Sequence, residues 1–215
     1  MDNIIKTDAE YRELERLAHK LKIPLPPHVI IKLESTVDGK LIDRFEGPSH
    51  SYVRNFWNTI FAINAAYTMS GSSFGEGYIT TKYLNGTMNN NNAIPCVGAV
   101  NNSNQGIVVG TGSGAESFES YDLTTRVVHG SSSGQLSHTL QNTTTIAYTS
   151  GTKTWEATLL RIFNNNSGGS IIITEVGILS SAGNLVCRDL LASSVTVANG
   201  GQLTVTYTIS MVFPA

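Results

Sequence analysis

At 215 residues and 23.1 kDa the chain has room for one domain with an appendage. A globular portion of about 160 residues buries close to 70% of its unfolded surface, enough for a real core. A formal charge of −2 and a pI near 6.2 exclude the basic footprint of a nucleic-acid or polybasic membrane binder, and no run approaches the roughly 18 apolar residues of a membrane span. Charge is unevenly placed: residues 1–54 hold nine of the 14 Lys/Arg and nine of the 16 Asp/Glu, leaving five and seven for residues 55–215. That longer part is rich in Gly, Ser, Thr, Asn and β-branched residues. Its composition resembles that of β-proteins with neutral polar surfaces, which often pack against copies of themselves.

The N-terminus, MDNIIKTDAEYRE, carries acids where a secretory signal has a basic start and an apolar core, which points to synthesis and folding in a cytosol. Thr7 and Glu10 form a capping box, and Tyr11, Leu14, Ala18 and Leu21 follow at helical spacing with charges between them. This predicts an amphipathic helix that ends at the stiff linker IPLPP. Residues 1–27 thus read as a docking arm whose stripe must be buried against the body or another subunit. In 28–70, HVIIKLESTV and KLIDRFEG flank Asp38-Gly39, a type I′ hairpin signal. A second helix, capped by Ser49 or Ser51, should carry Val53, Phe56, Trp57, Ile60, Phe61 and Ile63. Its apolar surface is wide enough for burial on two sides, although filling the domain's own core is the plainer fate of these aromatics.

Residues 71–215 read as β-structure punctuated by turns. The predicted strands are YITTKYL, AIPCVGAV, QGIVVG, LTTRVVHG, TTTIAY, TWEATLLRIF, SIIITEVGIL, NLVCRDLL, SSVTVA and QLTVTYTISMVF. In the last, Leu203, Val205, Tyr207, Ile209 and Met211 alternate with polar residues and so share one face. Strands at this spacing, joined by NNNSGG, SSAGN and ANGG, predict a mainly β fold: an antiparallel β-sandwich, jelly-roll-like, preceded by helix, hairpin and second helix.

Several motifs suggest chemistry. GIVVGTGSGAESFESYDL (106–123) places Gly110, Gly112 and Ala115 in the G-x-G-x-x-A spacing of a dinucleotide loop. The required helix has room for only about two turns before TTRVVHG, and no ribose-binding acid stands at the expected distance, so a turn is the better reading. GSSFG and GSSSG match the serine-hydrolase elbow at Ser73 and Ser132, with Asp122 and His129 or His138 able to complete an order for Ser73 only. Neither serine precedes a helical pattern. His129 and His138 flank a probable turn and could meet across it, but no third metal ligand is evident. Cys96 and Cys187 lack metal-site spacing and read as thiols. Arg188, Asp189 and Glu175 lie in apolar strands, where a buried ion pair or an interface contact is the plain explanation. Phe74, Tyr78 and Tyr83 could form a stacking platform for host surface glycans, or could be core residues. The N-x-[ST] triplets at Asn85, Asn101, Asn142 and Asn165 reflect composition. No cofactor and no metal is expected, and no enzyme activity.

GIVVGTGSGAESFESYDL resembles a loop of tailed-bacteriophage structural proteins, in which a strand runs into G-T-G, small residues and then an aromatic before the next strand. TEVGIL, LVCRDLL and VTVANGGQLTVTYTISMVF are similar to the closing strands of the same virion β-sandwich proteins, and HSYVRNFWNTI is similar to a segment upstream in some of them. The resemblance spans roughly residues 50–215. It implies a non-enzymatic, multi-copy virion component, of tail, head-to-tail or capsid-decoration type, made in the host cytoplasm. Its partners would be copies of itself and other virion proteins, neither nucleic acid nor membrane. Tyr11, Leu14, Ala18, Leu21, Phe56 and Trp57 are then the candidate assembly contacts. The alternatives are a glycan- or receptor-binding module at a tail tip and, behind it, a serine hydrolase.

Overall fold

The computed structural model describes residues 28–49, 51–53, 96–142, 145–152, 154–180 and 183–212, with Glu13, Arg16, Leu17, Lys20, Leu21, Phe56 and the short strands at 69–70 and 87–88. The chain is mainly β and its sheets are antiparallel. β1 (His28–Val37) and β2 (Lys40–Ser49) form the predicted hairpin, with Asp38 at φ 50° and Gly39 at φ 75°, both positive as a type I′ turn requires. β3 (Met69–Ser70) pairs with β4 (Thr87–Met88). Then follow β5 (Gly106–Gly110), β6 (Ser137–His138), β7 (Thr145–Thr149), β8 (Thr154–Asn164), β9 (Ile171–Leu179), β10 (Leu185–Val197) and β11 (Gln202–Val212). One sheet runs β2-β1-β11-β8-β6, with β7 also paired to β8, and a second runs β10-β9-β5.

Period-2 alternation explains why these strands belong together. Leu203, Val205 and Tyr207 of β11 are buried, as are Val29, Ile31 and Leu33 of β1 and Leu159 and Phe163 of β8. Register aligns them, Leu33 opposite Val205 and Leu203 opposite Phe163. From the second sheet Ile107, Val109, Ile171, Ile173, Val195 and Val197 join the same hydrophobic cluster. Each such aliphatic contributes about 1.5–3 kcal/mol on burial, so this shared cluster is the main source of stability. The β1–β2 hairpin is built into this sheet, β1 lying between β2 and β11 from His28↔Ser210 to Thr36↔Gln202.

β9 changes phase midway. Ile171 and Ile173 reach the shared core, but so do Val176 and Ile178, and at the same place the pairing with β10 jumps from Leu190↔Glu175 to Val195↔Ile173. This bulge turns Glu175 away from the shared core. The opposite face of the sheet carries its own cluster of Val53, Val108, Leu123, Leu179 and Leu185.

Some predicted elements fall differently. NLVCRDLL and SSVTVA are one strand, β10, because Ala192, Ser193 and Ser194 sit in the bulge and do not turn the chain. Cys96–Ala99 is not strand, and 123–130 contributes only single bridges at Arg126 and His129. At the start of the predicted second helix, β2 runs through Ser49 and Tyr52 bridges Cys187; Phe56 is helical, and Trp57 lies outside the described residues. Of the N-terminal helix, Glu13, Arg16, Leu17, Lys20 and Leu21 are described, which does not establish a continuous helix; Tyr11, Leu14 and Ala18 lie outside the described residues.

Asn165, just past β8, locks two turns together. Its buried side-chain amide donates to the carbonyls of Gly169 and Val197, both at 2.8 Å, and its oxygen accepts from the Ser167 amide and hydroxyl at 3.1 and 2.7 Å. Its backbone pairs with Gly200 and Gly201 of the β10–β11 turn. This asparagine is therefore engaged inside the fold. Replacing it by Ala should lower unfolding free energy by about 2–3 kcal/mol, because buried carbonyls lose their donors, whereas Asn142→Ala at an exposed position should change it by less than about 0.5. Equal losses in urea titrations would contradict this assignment.

Candidate functional site

The glycine-rich stretch after β5 closes over a carboxylate of the protein itself. Glu175 is fully buried. Its Oε1 accepts from the amides of Gly112 at 3.1 Å and Thr125 at 2.8 Å; its Oε2 accepts from the Thr124 amide at 3.0 Å and from Arg188 Nε at 2.7 Å. Two donors on each oxygen fill the acceptor capacity of the carboxylate. Arg188 in turn donates from Nη1 to the Ala115 carbonyl at 3.0 Å, and from Nη2 to the Gly114 carbonyl at 2.6 Å and Thr124 Oγ1 at 2.7 Å. Of the amides of the dinucleotide-like motif, that of Gly112 thus meets an internal anion, together with those of Thr124 and Thr125 further along the chain.

The glycines are explained by this closure. A Cβ on Gly110 would stand 2.6 Å from Glu175 Oε1, one on Gly112 would collide with the same oxygen, and one on Gly114 would lie 2.8 Å from Thr124 Oγ1. Thr174 Oγ1 adds a 2.7 Å bond to the Gly112 carbonyl, and Glu116 accepts from the Leu190 amide at 2.7 Å, fastening the stretch to β9 and β10. After 115 the chain makes a turn around 118–119 and no helix springs from the glycines.

A second station gathers the other long loop. Arg161 occupies an inward position of β8 and is fully buried. Its five guanidinium hydrogens go to five backbone carbonyls: Thr139 at 3.0 Å, Gln105 at 2.8 Å, Ile107 at 2.9 Å, Ala99 at 2.8 Å and Asn102 at 2.7 Å. Burial brings its pKa down to about 10, so it stays charged at neutral pH. Gly98 makes room for it, since a Cβ there would lie 2.7 Å from Arg161 Cζ. Beside it Gln141 accepts from the Ile107 amide at 2.9 Å and donates to the Cys96 carbonyl.

The other predicted candidates are dispersed. His129 and His138 do meet, with ring centroids 5.8 Å apart, but His129 Nδ1 accepts from the His138 amide at 3.0 Å and His138 Nδ1 faces the Asn102 carbonyl at 3.3 Å. Asp122 pairs with Arg126 at 3.3 Å, and Ser132 lies exposed in the 130–134 turn. Ser73 and the aromatics Phe74, Tyr78 and Tyr83 lie outside the described residues. Among the described residues, no group of three or more His, Cys, Asp or Glu is arranged to hold a metal, and no helix is long and apolar enough to cross a membrane. Cys96 and Cys187 remain thiols; burial pushes Cys96 up to about 12 and raises Cys187 well above its ordinary value, so neither is a thiolate at neutral pH. Phe56 is partly buried against the shared core and stacks on Tyr52 at 4.6 Å, while Leu21 is 63% exposed.

The Glu175–Arg188 pair was legible as charges in apolar strands. Arg161 and Asn165 were missed, although a charge at an inward position of the alternating run Ala157, Leu159, Arg161, Phe163 was the available signal. Together these groups position backbone, and the Glu175 carboxylate holds no vacant acceptor site for a ligand.

Glu175→Gln should destabilise the protein by about 3–5 kcal/mol, since it leaves Arg188 buried without its counter-charge and turns an amide group toward backbone donors. A chemical denaturation shift below about 1 kcal/mol would contradict the geometry. His138 gives a pH signature: desolvation, then the Arg161 charge, with His129 and Arg126 adding, pulls its pKa from 6.5 to about 4. The unfolded chain then binds the extra proton, so stability is complete above pH 6.5 and declines as pH falls toward 4, by on the order of 3 kcal/mol. A His138→Gln variant should lack that increment; parallel pH profiles for the two proteins would contradict it.

Comparison with family models, curated proteins and solved structures finds no match to the chain.

Proposed function

We propose that this protein is a non-enzymatic, multi-copy structural component of a tailed-bacteriophage virion, acting by contact with copies of itself and with other virion proteins. The observation that carries the reading is where its charges sit. Arg126, Arg161 and Arg188 are the described basic residues of 55–215; Arg161 and Arg188 are buried, and the Arg126 side chain is 14% exposed. Arg161 and Arg188 organise loops from within, so the described surface of 55–215 is poor in cations and carries exposed Val97, Phe118, Leu140, Ile146, Tyr148 and Ile172 beside exposed Glu119 and Glu156. Such a surface suits repeated packing against like surfaces and offers little electrostatic purchase on an anionic substrate.

In this reading the two sheets are the layers of an antiparallel, jelly-roll-like sandwich, and residues 1–27 are a helical docking arm. Exposed Leu17 and Leu21 belong to the face that a neighbouring subunit covers. The resemblance of residues 50–215 to virion β-sandwich proteins supports the same conclusion.

Mass spectrometry of purified particles should find the protein at many copies. In the full chain, Leu17→Glu with Leu21→Glu should leave thermal unfolding within about 0.5 kcal/mol of wild type, as exposed sites do, yet abolish incorporation. Normal incorporation of that variant would refute the docking role, and absence of the wild-type protein from particles would refute the virion reading.

A further inference from the structure

β7 is the weakest-covered strand of the larger sheet. It pairs with β8 from Thr145↔Thr158 to Thr149↔Thr154, and β8 is its only strand partner among the described residues. All five of its residues are exposed, so both of its faces meet solvent, and no second strand pairs with its outer edge among the described residues. Ile146 and Tyr148 lie opposite Ala157 and Trp155, on the face that β8 turns toward the core. They are nevertheless 63% and 60% exposed.

Natural sheets protect an outer edge with Lys, Pro, a bulge or an inward charge. β7 has none of these. No charged residue occurs between His138 and Lys153, and the β7–β8 register runs without a bulge. The strand TIAYT is also nearly symmetric about Ala147. If it is laid antiparallel against a second copy with the two-fold axis at Ala147, Thr145 faces Thr149 and Ile146 faces Tyr148 of the other chain. Both are favourable cross-strand combinations, and each occurs twice in such an isologous contact.

We propose that the outer edge of β7 is a self-association site, at which two copies of this chain join antiparallel about Ala147 into one continuous sheet. The proposal deepens the multi-copy reading and rests on it for its biological setting, while its geometry comes from the sheet alone. A five-residue strand pair is small beside the roughly 1,200 Å² of a stable interface, so this contact is weak in isolation and gains strength from repetition within an assembly.

Disulfide trapping in the full-length chain tests the register. Ala147→Cys should give an oxidised dimer at least ten times more abundant than Thr145→Cys, with wild type, which retains Cys96 and Cys187, as background. Mixing Thr145→Cys chains with Thr149→Cys chains should restore the dimer, and adding Ile146→Lys to Ala147→Cys should remove it without lowering the melting temperature. Equal trapping at 145 and 147, or none above wild type at either, overturns the proposal. A trapped dimer from a protein absent from particles would uphold this contact and overturn the virion reading, whereas particles containing the protein but no Ala147→Cys dimer would overturn this contact alone.

Discussion

A carboxylate taken out of water costs several kcal/mol unless every lone pair finds a donor, and Glu175 is fully buried. That constraint orders one side of the molecule. The bulge between Leu190 and Val195 accompanies the change of phase in β9 that turns Glu175 away from the shared core. There it needs Arg188 from β10 and the amides of Gly112, Thr124 and Thr125, and the chain after β5 must fold back to supply them. Glycines are required because backbone and carboxylate approach more closely than a Cβ allows. Leu123 is carried in with the stretch and completes the second hydrophobic cluster. Charge satisfaction and apolar burial therefore fix the same conformation.

Arg161 does the corresponding work on the other loop with the opposite sign and a different chemistry. Its hydrogens meet five carbonyl dipoles, drawn from 99–107 and from 139. A planar fork of five donors suits convergent carbonyls in a way that a lysine ammonium with three donors does not. His138, between Arg161 and His129, is held neutral by the same surroundings. The outcome is a body in which Arg161, Glu175, Arg188 and Asp189 are internal, while Lys40, Arg44, Glu119 and Glu156 stand among the charges left at the surface.

Much of the sheet framework was legible in the sequence because it rests on short-range periodicity. The alternation of Leu203, Val205 and Tyr207 marked β11, and Asp38-Gly39 marked the hairpin through its tolerance of positive φ. Errors arose where long-range packing overrides local pattern. Ala192-Ser193-Ser194 looked like a break but is a bulge within one strand, and the apolar run at 96–99 looked like a strand but presents its Ala99 carbonyl to Arg161 and its Cys96 and Gly98 carbonyls to Gln141. The glycine stretch was rightly separated from nucleotide loops by the missing helix. What fills it, Glu175, could not be located without the fold, although its place among apolar residues flagged a buried pair. Arg161 carried a comparable signal, and its satisfaction by carbonyls alone left no acidic partner in the sequence to find.

The central claim is that the amides of Gly112, Thr124 and Thr125 are satisfied by the buried Glu175 carboxylate. Amide hydrogen exchange of the ligand-free chain, resolved at Gly112, Thr124 and Thr125, tests it most directly. Protection comparable to that of the β9 amides around Val176 is the predicted result. Exchange at the rate of the exposed 131–134 turn would show that these amides stand open and that Glu175 does not hold them.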